Sequence, residues 1–284
     1  MKTSKTLLCA ASALLLSACA IPPVGMEGAS REYTSVNQDS RVLFLVIHYT
    51  EESWEDSLPV LTQGANSGGK VSAHYLVRDE PVKVYQLVDE NRRAWQAGQS
   101  YFGGVQNLNS ASIGIEIVNP GDKNLKTGER NGQYAAYPPA QVDAVIALVK
   151  DIVARHQIKP ERVVGHEDIA PDRRRDPGPM FPWHRLYEAG VIPWPDADQV
   201  AAKAAEFAQT PPDITWAQKK LAKYGYLIPE TGTLDEHTLN VISAFQMKYR
   251  PSNYDGQLDA ETAALIDVAT TKDGMKMMAV AAKP

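Results

Sequence analysis

Residues 42–48 read VLFLVIH, an apolar run that ends at a histidine. A run that is apolar on both faces is typical of a strand buried in the middle of a sheet. A second apolar segment, residues 163–165, leads directly into His166. A third, residues 113–118, alternates so that Glu116 lies on the face opposite its apolar neighbours. The sequence therefore predicts buried strands with polar side chains at or near their ends.

A long amphipathic helix is the other clear element of this part of the chain. Across residues 139–157, apolar side chains recur at helical spacing, namely Val142, Val145, Ile146, Val149 and Val153. Shorter strands are predicted at residues 71–78 and 82–88. Because strands and helices alternate irregularly, we predict an α/β domain over residues 41–195, with a mixed central β-sheet flanked by helices.

The composition changes after this domain. Residues 196–213 are rich in Ala, Asp and Pro and are predicted to be a linker. Residues 214–268 contain two Gly-x-Leu-Asp turns, beginning at Gly232 and Gly256, in which Asp is expected to cap a helix. This second domain is too small to be an enzyme alone. The remaining residues, 269–284, are predicted to be a disordered tail.

The amino-terminal segment has the features of an export signal. Lys2 and Lys5 precede an apolar run at residues 7–16, which is short for a membrane span. The run ends in the string LSAC, which resembles a bacterial lipobox and implies a signal peptide at residues 1–18, with Cys19 acylated, for example by palmitate. The alternative is an ordinary cleaved signal peptide.

The segment after the predicted cleavage site indicates location. Ala20 stands where Asp would be expected for inner-membrane retention, so the resemblance implies a lipid anchor in the outer membrane, facing the periplasm. Residues 19–40 are small and polar and are predicted to be a tether. Membrane attachment is then expected through the acyl chains at Cys19.

The composition argues against several partners. The net charge is −5 at pH 7, and no basic stripe indicates nucleic-acid binding. Cys9 would leave with the signal, so the mature chain is expected to have no disulfide. We expect a monomer.

Three residues suit a metal site. His48 and His166 end apolar segments, and Asp176 follows ten residues after His166. Two imidazoles and a carboxylate suit catalytic zinc, because three protein ligands leave a fourth position for water. Taken singly, each is ordinary: a histidine at a strand end is more often structural, and an aspartate before proline can simply form a turn.

The neighbours of these residues favour the metal site over the structural alternatives. Five short strings occur in one order: VIHYT at 46–50, SAHY at 72–75, IGIE at 113–116, VGHEDIAP at 164–171 and DPGP at 176–179. Together they resemble the zinc N-acetylmuramoyl-L-alanine amidases that are related to phage-lysozyme-type amidases and peptidoglycan recognition proteins. Over about residues 40–195, the resemblance implies Zn²⁺ held by His48, His166 and Asp176, with Glu116 as general base. Residues 214–268 resemble a three-helix peptidoglycan-binding domain.

Two positions depart from the family pattern. Arg174 stands where the family usually has the lysine that steadies the oxyanion, and it keeps the charge with a different reach. Gln96 stands where a histidine usually follows Trp, which puts one substrate contact in doubt. His74 lies in a matching string without being a ligand in the family, so we expect it near the active site in a structural or substrate-contacting role.

The resemblance implies hydrolysis of the amide bond between N-acetylmuramic acid and L-alanine, in peptidoglycan or in muropeptides. Two alternatives remain open. One is a peptidoglycan-recognition protein without catalysis, although members that lost zinc lack the full ligand set. The other is a zinc peptidase that cuts within the stem peptide, although the sequence has no His-Glu-x-x-His string.

Overall fold

The structure is a computed structural model that describes residues 26, 28–30, 32–64, 69–122 and 132–279. The predicted signal peptide and Cys19 lie outside the described residues. From Ser40 onward, the described residues form one compact unit. Within the described ranges, no helix is long and apolar enough to cross a bilayer.

The regular elements of this unit alternate along the chain. In order, they are β1 (Phe44–Tyr49), α1 (Trp54–Gln63), β2 (Tyr75–Arg78), β3 (Lys83–Gln86), β4 (Tyr101–Phe102), β5 (Val105–Gln106), β6 (Ser112–Ile117), α2 (Pro139–His156), β7 (Val163–Gly165), α3 (His166–Ile169), α4 (Trp183–Glu188), β8 (Trp194–Pro195), α5 (Ala197–Gln209), α6 (Ile214–Tyr224), α7 (Glu236–Tyr249), α8 (Ala260–Thr270) and β9 (Met275–Lys276). Short 3₁₀ turns precede β6 and β7.

The central sheet has five strands in the order β3-β2-β6-β1-β7. Strand β1 is parallel to β6 and to β7, and β2 is parallel to β6. Strand β3 is antiparallel at one edge. The predicted mixed sheet flanked by helices is therefore confirmed, with the apolar run as an internal strand between β6 and β7.

The two faces of β1 are buried against different partners. Leu45 and Ile47 pack in one core with the apolar stripe of α2. Phe44 and Val46 point to the other face, where they share a second core with Leu221 of α6 and other residues of the carboxyl-terminal helices. This alternation explains why β1 is apolar throughout, and it shows that the helical region covers one face of the sheet.

The carboxyl-terminal region differs from the prediction at both of its ends. Residues 196–213, predicted to be a linker, contain the helix α5, which Asp196 caps by accepting a hydrogen bond from the Gln199 backbone. This helix packs against α8 through Phe207. The predicted disordered tail begins inside α8 and then forms β9, which pairs with β8. Composition alone did not reveal these apolar contacts.

The repeat predicted within residues 214–268 has a structural counterpart. Helices α6, α7 and α8 are each capped by an aspartate, and the two repeated turns place glycine at φ 71° and 78°. A buried glutamine before each turn, Gln218 or Gln246, accepts a hydrogen bond from that glycine and donates to the turn. The same device is therefore used twice to connect consecutive helices.

Candidate metal centre and active site

Three polar side chains meet where neighbouring parallel strands end. His48 lies near the end of β1, and its register partner on β6 is Glu116. His166 is the first residue of α3, directly after β7 on the other side of β1. Because the carboxyl ends of parallel strands meet at one edge of a sheet, residues that are far apart in sequence converge here.

The segment from His166 to Asp176 is folded back on itself. The Glu167 backbone donates a hydrogen bond to the Asp176 carbonyl over 2.9 Å. The Asp168 side chain accepts one from the Gly165 backbone, also over 2.9 Å, which fixes the first turn of α3. These two bonds place the Asp176 carboxylate next to the imidazole of His166.

The three predicted ligand atoms form a closed triangle. His48 Nδ1 lies 3.0 Å from His166 Nδ1, and Asp176 Oδ2 lies 2.8 Å from the first and 3.0 Å from the second. All three residues are buried. Among the described residues, this is the group of histidine and acidic side chains arranged to hold a metal ion.

The outer nitrogens of both rings show which tautomer each histidine adopts. His48 Nε2 lies 2.5 Å from Gln96 Oε1, and His166 Nε2 lies 3.3 Å from the Ala97 carbonyl. Both partners only accept, so each Nε2 carries a hydrogen, and in the neutral form of each ring Nδ1 presents a lone pair. Two lone pairs and a carboxylate oxygen at about 3 Å repel one another unless a cation lies between them, so this donor set fits Zn²⁺.

Gln96 is itself held in one orientation. Its amide nitrogen donates to Ser112 Oγ over 2.7 Å, and Ser112 donates its only hydrogen to the Leu108 carbonyl. Gln96 also packs over Gly114, where a Cβ atom would come within 2.6 Å of its side chain. The sequence suggested Gln96 only as a doubtful substrate contact. The structure places it behind His48, one of the three predicted metal ligands.

Glu116 is the carboxylate suited to proton transfer. It lines a cavity of about 250 Å³ together with the three ligand residues and Arg174. Its Oε2 atom is buried and has no hydrogen-bond partner in the described chain. Burial raises the pKa of Glu116 to about 7, with His48 and Arg174 opposing the rise and Asp176 adding to it. Such a carboxyl can exchange a proton near neutral pH.

The charges of two of the three predicted ligand residues, Asp176 and His166, suit metal binding. Burial opposes ionisation of Asp176, but the neighbouring His166 and His48 hold the pKa of Asp176 well below its usual range. Burial lowers the pKa of His166 to about 4. The site therefore contains an ionised carboxylate and a neutral imidazole, the forms that coordinate metals.

The three consecutive arginines have different partners. Arg173 donates to the Ala97 and Gln99 carbonyls, and Arg175 donates to backbone carbonyls and to Asn240 Oδ1. Arg174 lines the cavity, and its guanidinium has no hydrogen bond or ion pair to any described residue. Arg174 is thus the arginine that remains available to a substrate, as the sequence predicted for the oxyanion cation.

His74 has a structural environment. Its Nδ1 accepts a hydrogen bond from the Gly114 backbone over 3.0 Å, and its Nε2 donates to the Arg92 carbonyl over 3.0 Å. Both ring nitrogens are used, and burial lowers the pKa of His74. The ring connects β6 to the segment that leads into Trp95 and Gln96, which supports the structural alternative.

Glu51 is a residue of the site that sequence reasoning did not identify. This residue adopts a left-handed conformation with φ 62° and lines the cavity. Burial and the charge of Asp176 raise the pKa of Glu51, whereas Arg174 lowers it. A strained backbone beside the site places a second carboxylate in the cavity, opposite Arg174 in charge.

Comparison with known proteins places this site in a family. The model of the N-acetylmuramoyl-L-alanine amidase family matches residues 38–179, and a peptidoglycan binding domain model matches residues 210–266. The chain is 42% identical over 275 residues to the N-acetylmuramoyl-L-alanine amidase AmiD of Escherichia coli K12, covering 93% of this chain and 96% of AmiD. The chain belongs to the N-acetylmuramoyl-L-alanine amidase family.

Solved structures agree with this assignment. A complex of E. coli AmiD with the substrate anhydro-N-acetylmuramic acid-L-Ala-D-γ-Glu-L-Lys matches with a TM-score of 0.75 and 41% identity, covering 86% of this chain and 95% of that one. AmpDh3 of Pseudomonas aeruginosa matches with a TM-score of 0.75 and 35% identity, covering 87% and 97%. The resemblance drawn from the five strings and the amidase fold are therefore confirmed.

Proposed function

We propose that this amidase uses zinc to hydrolyse the bond between N-acetylmuramic acid and L-alanine, in peptidoglycan or in soluble muropeptides. One observation carries the proposal: two imidazole Nδ1 atoms and a carboxylate converge beside the half-buried Glu116, whose buried Oε2 atom has no hydrogen-bond partner among the described residues. The substrate of the AmiD complex contains the same bond.

Zinc would be held by His48, His166 and Asp176. When bound, it supplies Lewis-acid chemistry, which activates water and polarises the amide carbonyl. The protein contributes the orientation of both rings, through Gln96 and the Ala97 carbonyl.

Glu116 and Arg174 complete the proposed mechanism. The Glu116 carboxylate accepts a proton from the attacking water and returns it to the leaving amine nitrogen. Arg174 presents positive charge to the oxygen on which negative charge develops. Among the described residues, Glu116 Oε2 has no hydrogen-bond partner, and the guanidinium of Arg174, which lines the same cavity, makes no hydrogen bond.

Two further parts of the chain would bring the active site close to its substrate, namely the amino-terminal segment and the helical region. We propose that Cys19 carries a lipid anchor in the outer membrane and that residues 19–40 tether the enzyme to it. A wall-binding role for the helical region would raise the local concentration of the active site at peptidoglycan. The match of residues 210–266 to a peptidoglycan binding domain model supports this role.

Product analysis tests the reaction. Purified enzyme is incubated with intact sacculi and with a soluble anhydro-muropeptide, with and without a chelator. The products are identified by mass spectrometry. We expect free peptides that begin with L-alanine, sugars without peptide, and no products under chelation. Cleavage inside the stem peptide would show a peptidase, and zinc-free protein without products would show a recognition protein.

Membrane fractionation tests the anchor. Cys19→Ser should remove the protein from the outer-membrane fraction, because no acylated residue remains. Cys9→Ser is the matched control, since Cys9 lies in the segment that is predicted to be removed. Equal membrane association of the two variants would argue against lipidation at Cys19.

A further inference from the structure

The helical region contacts the segment that carries two of the three metal ligands. This segment, residues 166–176, contains only the short helix α3 and irregular chain. Side chains from α7 and from the loop after α6 reach it at several points, and most of them are buried. A segment with so little regular structure needs outside contacts to hold His166 and Asp176 within coordination distance of each other.

The first contact acts on the turn that begins at His166. Asp168 fixes this turn through Gly165, and its other carboxylate oxygen accepts a hydrogen bond from the Tyr226 hydroxyl over 2.5 Å. Lys248 Nζ lies 3.6 Å from Asp168. Both Tyr226 and Lys248 belong to the helical region, so the charge that orders α3 is balanced from outside the sheet domain.

The surroundings of Lys248 show that this contact is built into the fold. Its side chain is buried and donates to the Val163 carbonyl over 3.1 Å. The ammonium also lies 4.4 Å from the centre of the Trp183 ring. A buried ammonium is unfavourable unless it is paired, and here both oxygen partners, Asp168 and the Val163 carbonyl, belong to the amidase domain, the second on the strand that leads into His166.

The second contact acts beside Asp176. Arg175 donates to Asn240 Oδ1 of α7 over 2.8 Å, and Asn240 donates to Asp172 over 3.1 Å. His237 of the same helix lies 2.7 Å from Asp172. One helix thus holds the chain on the amino-terminal side of the carboxylate ligand.

We propose that the helical region is a positioning element of the metal site, in which Tyr226 and Lys248 order the turn of His166 and Asn240 orders the chain before Asp176. The inference rests on the proposed zinc site. These residues then have a role separate from wall binding. They set the affinity for the metal, and with it the turnover of soluble muropeptides, which does not depend on attachment to the wall.

Zinc affinity of full-length variants, measured by competition with a chromogenic chelator, tests the proposal. Tyr226→Phe should bind zinc about tenfold more weakly, within the range seen when a partner of a ligand is removed. Tyr249→Phe is the matched control, because it removes a buried hydroxyl that bonds Tyr224 over 2.7 Å inside the helical region. Its zinc affinity should equal that of the parent.

The melting temperatures of Tyr226→Phe and Tyr249→Phe, measured by thermal unfolding, show whether a loss of zinc affinity reflects a general loss of stability. If Tyr226→Phe and Tyr249→Phe lose zinc affinity equally, or if neither does, the positioning role is overturned. Should Tyr226→Phe fail to fold, Asn240→Ala is compared with Tyr249→Phe by the same criterion. The proposed function is judged separately by the products of the parent enzyme, so either conclusion can fail alone.

Turnover of a soluble muropeptide gives a second readout. We expect Tyr226→Phe to lower kcat at limiting zinc and to regain it at saturating zinc, with KM unchanged. Binding of the same variants to sacculi should stay at the parent level. Reduced binding to sacculi with parental zinc affinity would show that Tyr226 serves wall attachment alone, and would overturn the inference.

Discussion

Two buried or half-buried clusters that combine histidine with acidic side chains, one around Glu90 and one beside Glu116, differ in how fully their polar atoms are paired. In the first, Glu90 accepts hydrogen bonds from the Tyr75 hydroxyl, from two nitrogens of Arg155 and from His156, at 2.5–2.9 Å. In the second, Glu116 lies beside the three ligand residues with Oε2 unpaired among the described residues.

The acidity of the two glutamates follows from this difference. Burial would raise the pKa of Glu90, but hydrogen bonds from Arg155, Tyr75 and His156 lower it to about 2. Burial without such partners raises the pKa of Glu116 to about 7. A fully paired carboxylate stabilises the fold, whereas an unpaired one is available for chemistry. The presence of histidine and glutamate alone does not distinguish the two cases.

The largest expected effect is at the unpaired carboxylate. Glu116→Gln should lower kcat about 10²–10⁴-fold, because the amide cannot accept the proton that a general base removes. Zinc content should stay at the parent level, since the ligand triangle does not include Glu116. Steady-state turnover of a soluble muropeptide and metal analysis of the same preparation measure both quantities.

Glu90→Gln is the matched control for this variant, because it makes the same change in the paired cluster. Its kcat should equal that of the parent. Comparable losses of kcat in the two variants would show that the pairing of a carboxylate does not distinguish the catalytic glutamate from the structural one. Parental turnover by Glu116→Gln would remove Glu116 from the mechanism.

The next largest effect is expected at Arg174. Arg174→Ala should lower kcat about 10²–10³-fold, as removal of one oxyanion donor does elsewhere, and Arg174→Lys should restore part of it by keeping the charge. Arg185→Ala is a suitable control, because Arg185 forms an exposed pair with Asp143 outside the site. Parental rates for Arg174→Ala would leave the oxyanion without an assigned cation.

A smaller effect is expected at Gln96, which orients a ligand without touching the metal. Gln96→Leu should weaken zinc binding about 10–100-fold, because His48 loses the acceptor that fixes its tautomer. Gln86→Leu changes a glutamine exposed on β3 and should bind zinc normally. Chelator competition measures both, and unchanged affinity of Gln96→Leu would show that Ala97 and the fold suffice to orient the rings.

Gln96 also shows where sequence reasoning stops. The strings around His48, His166 and Asp176 were sufficient to predict the family and the fold, because their order is specific to one family. The role of Gln96 depends on Ser112, on the absence of a side chain at Gly114 and on the register of β1 with β6. Such contacts between distant segments have no local sequence signal.

The helix α5 illustrates a different limit. Its Ala-rich segment was predicted to be a linker from composition, yet Val200, Ala204 and Phe207 recur at helical spacing and pack against α8 and its neighbours. Asp196 before this stripe is a cap signal. Here the information was present in the sequence, and the periodicity outweighed the composition.

The smallest expected effect concerns the paired cluster and its dependence on pH. Glu90 has a pKa of about 2 in the folded protein against an ordinary value of 4.5, so the unfolded chain takes up the proton first as the pH falls. The stabilisation by Glu90 is therefore complete above about pH 4.5 and is lost as the pH falls toward about 2. Its size should be about 1 kcal/mol, because the Arg155 side chain is 43% exposed and solvent screens the pair.

Urea unfolding of the parent and Glu90→Gln at neutral pH and at about pH 3 tests this expectation. The free energy of unfolding should differ by about 1 kcal/mol at neutral pH, and the difference should shrink at about pH 3, because there the unfolded parent takes up a proton at Glu90 while the folded parent still carries most of the charge. Asp151→Asn removes the other, more exposed partner of Arg155 and should have a smaller effect. If the free energies of unfolding of the parent and Glu90→Gln differ by the same amount at both pH values, Glu90 contributes shape and hydrogen bonds but not charge. The contrast with Glu116 would then rest on pairing alone.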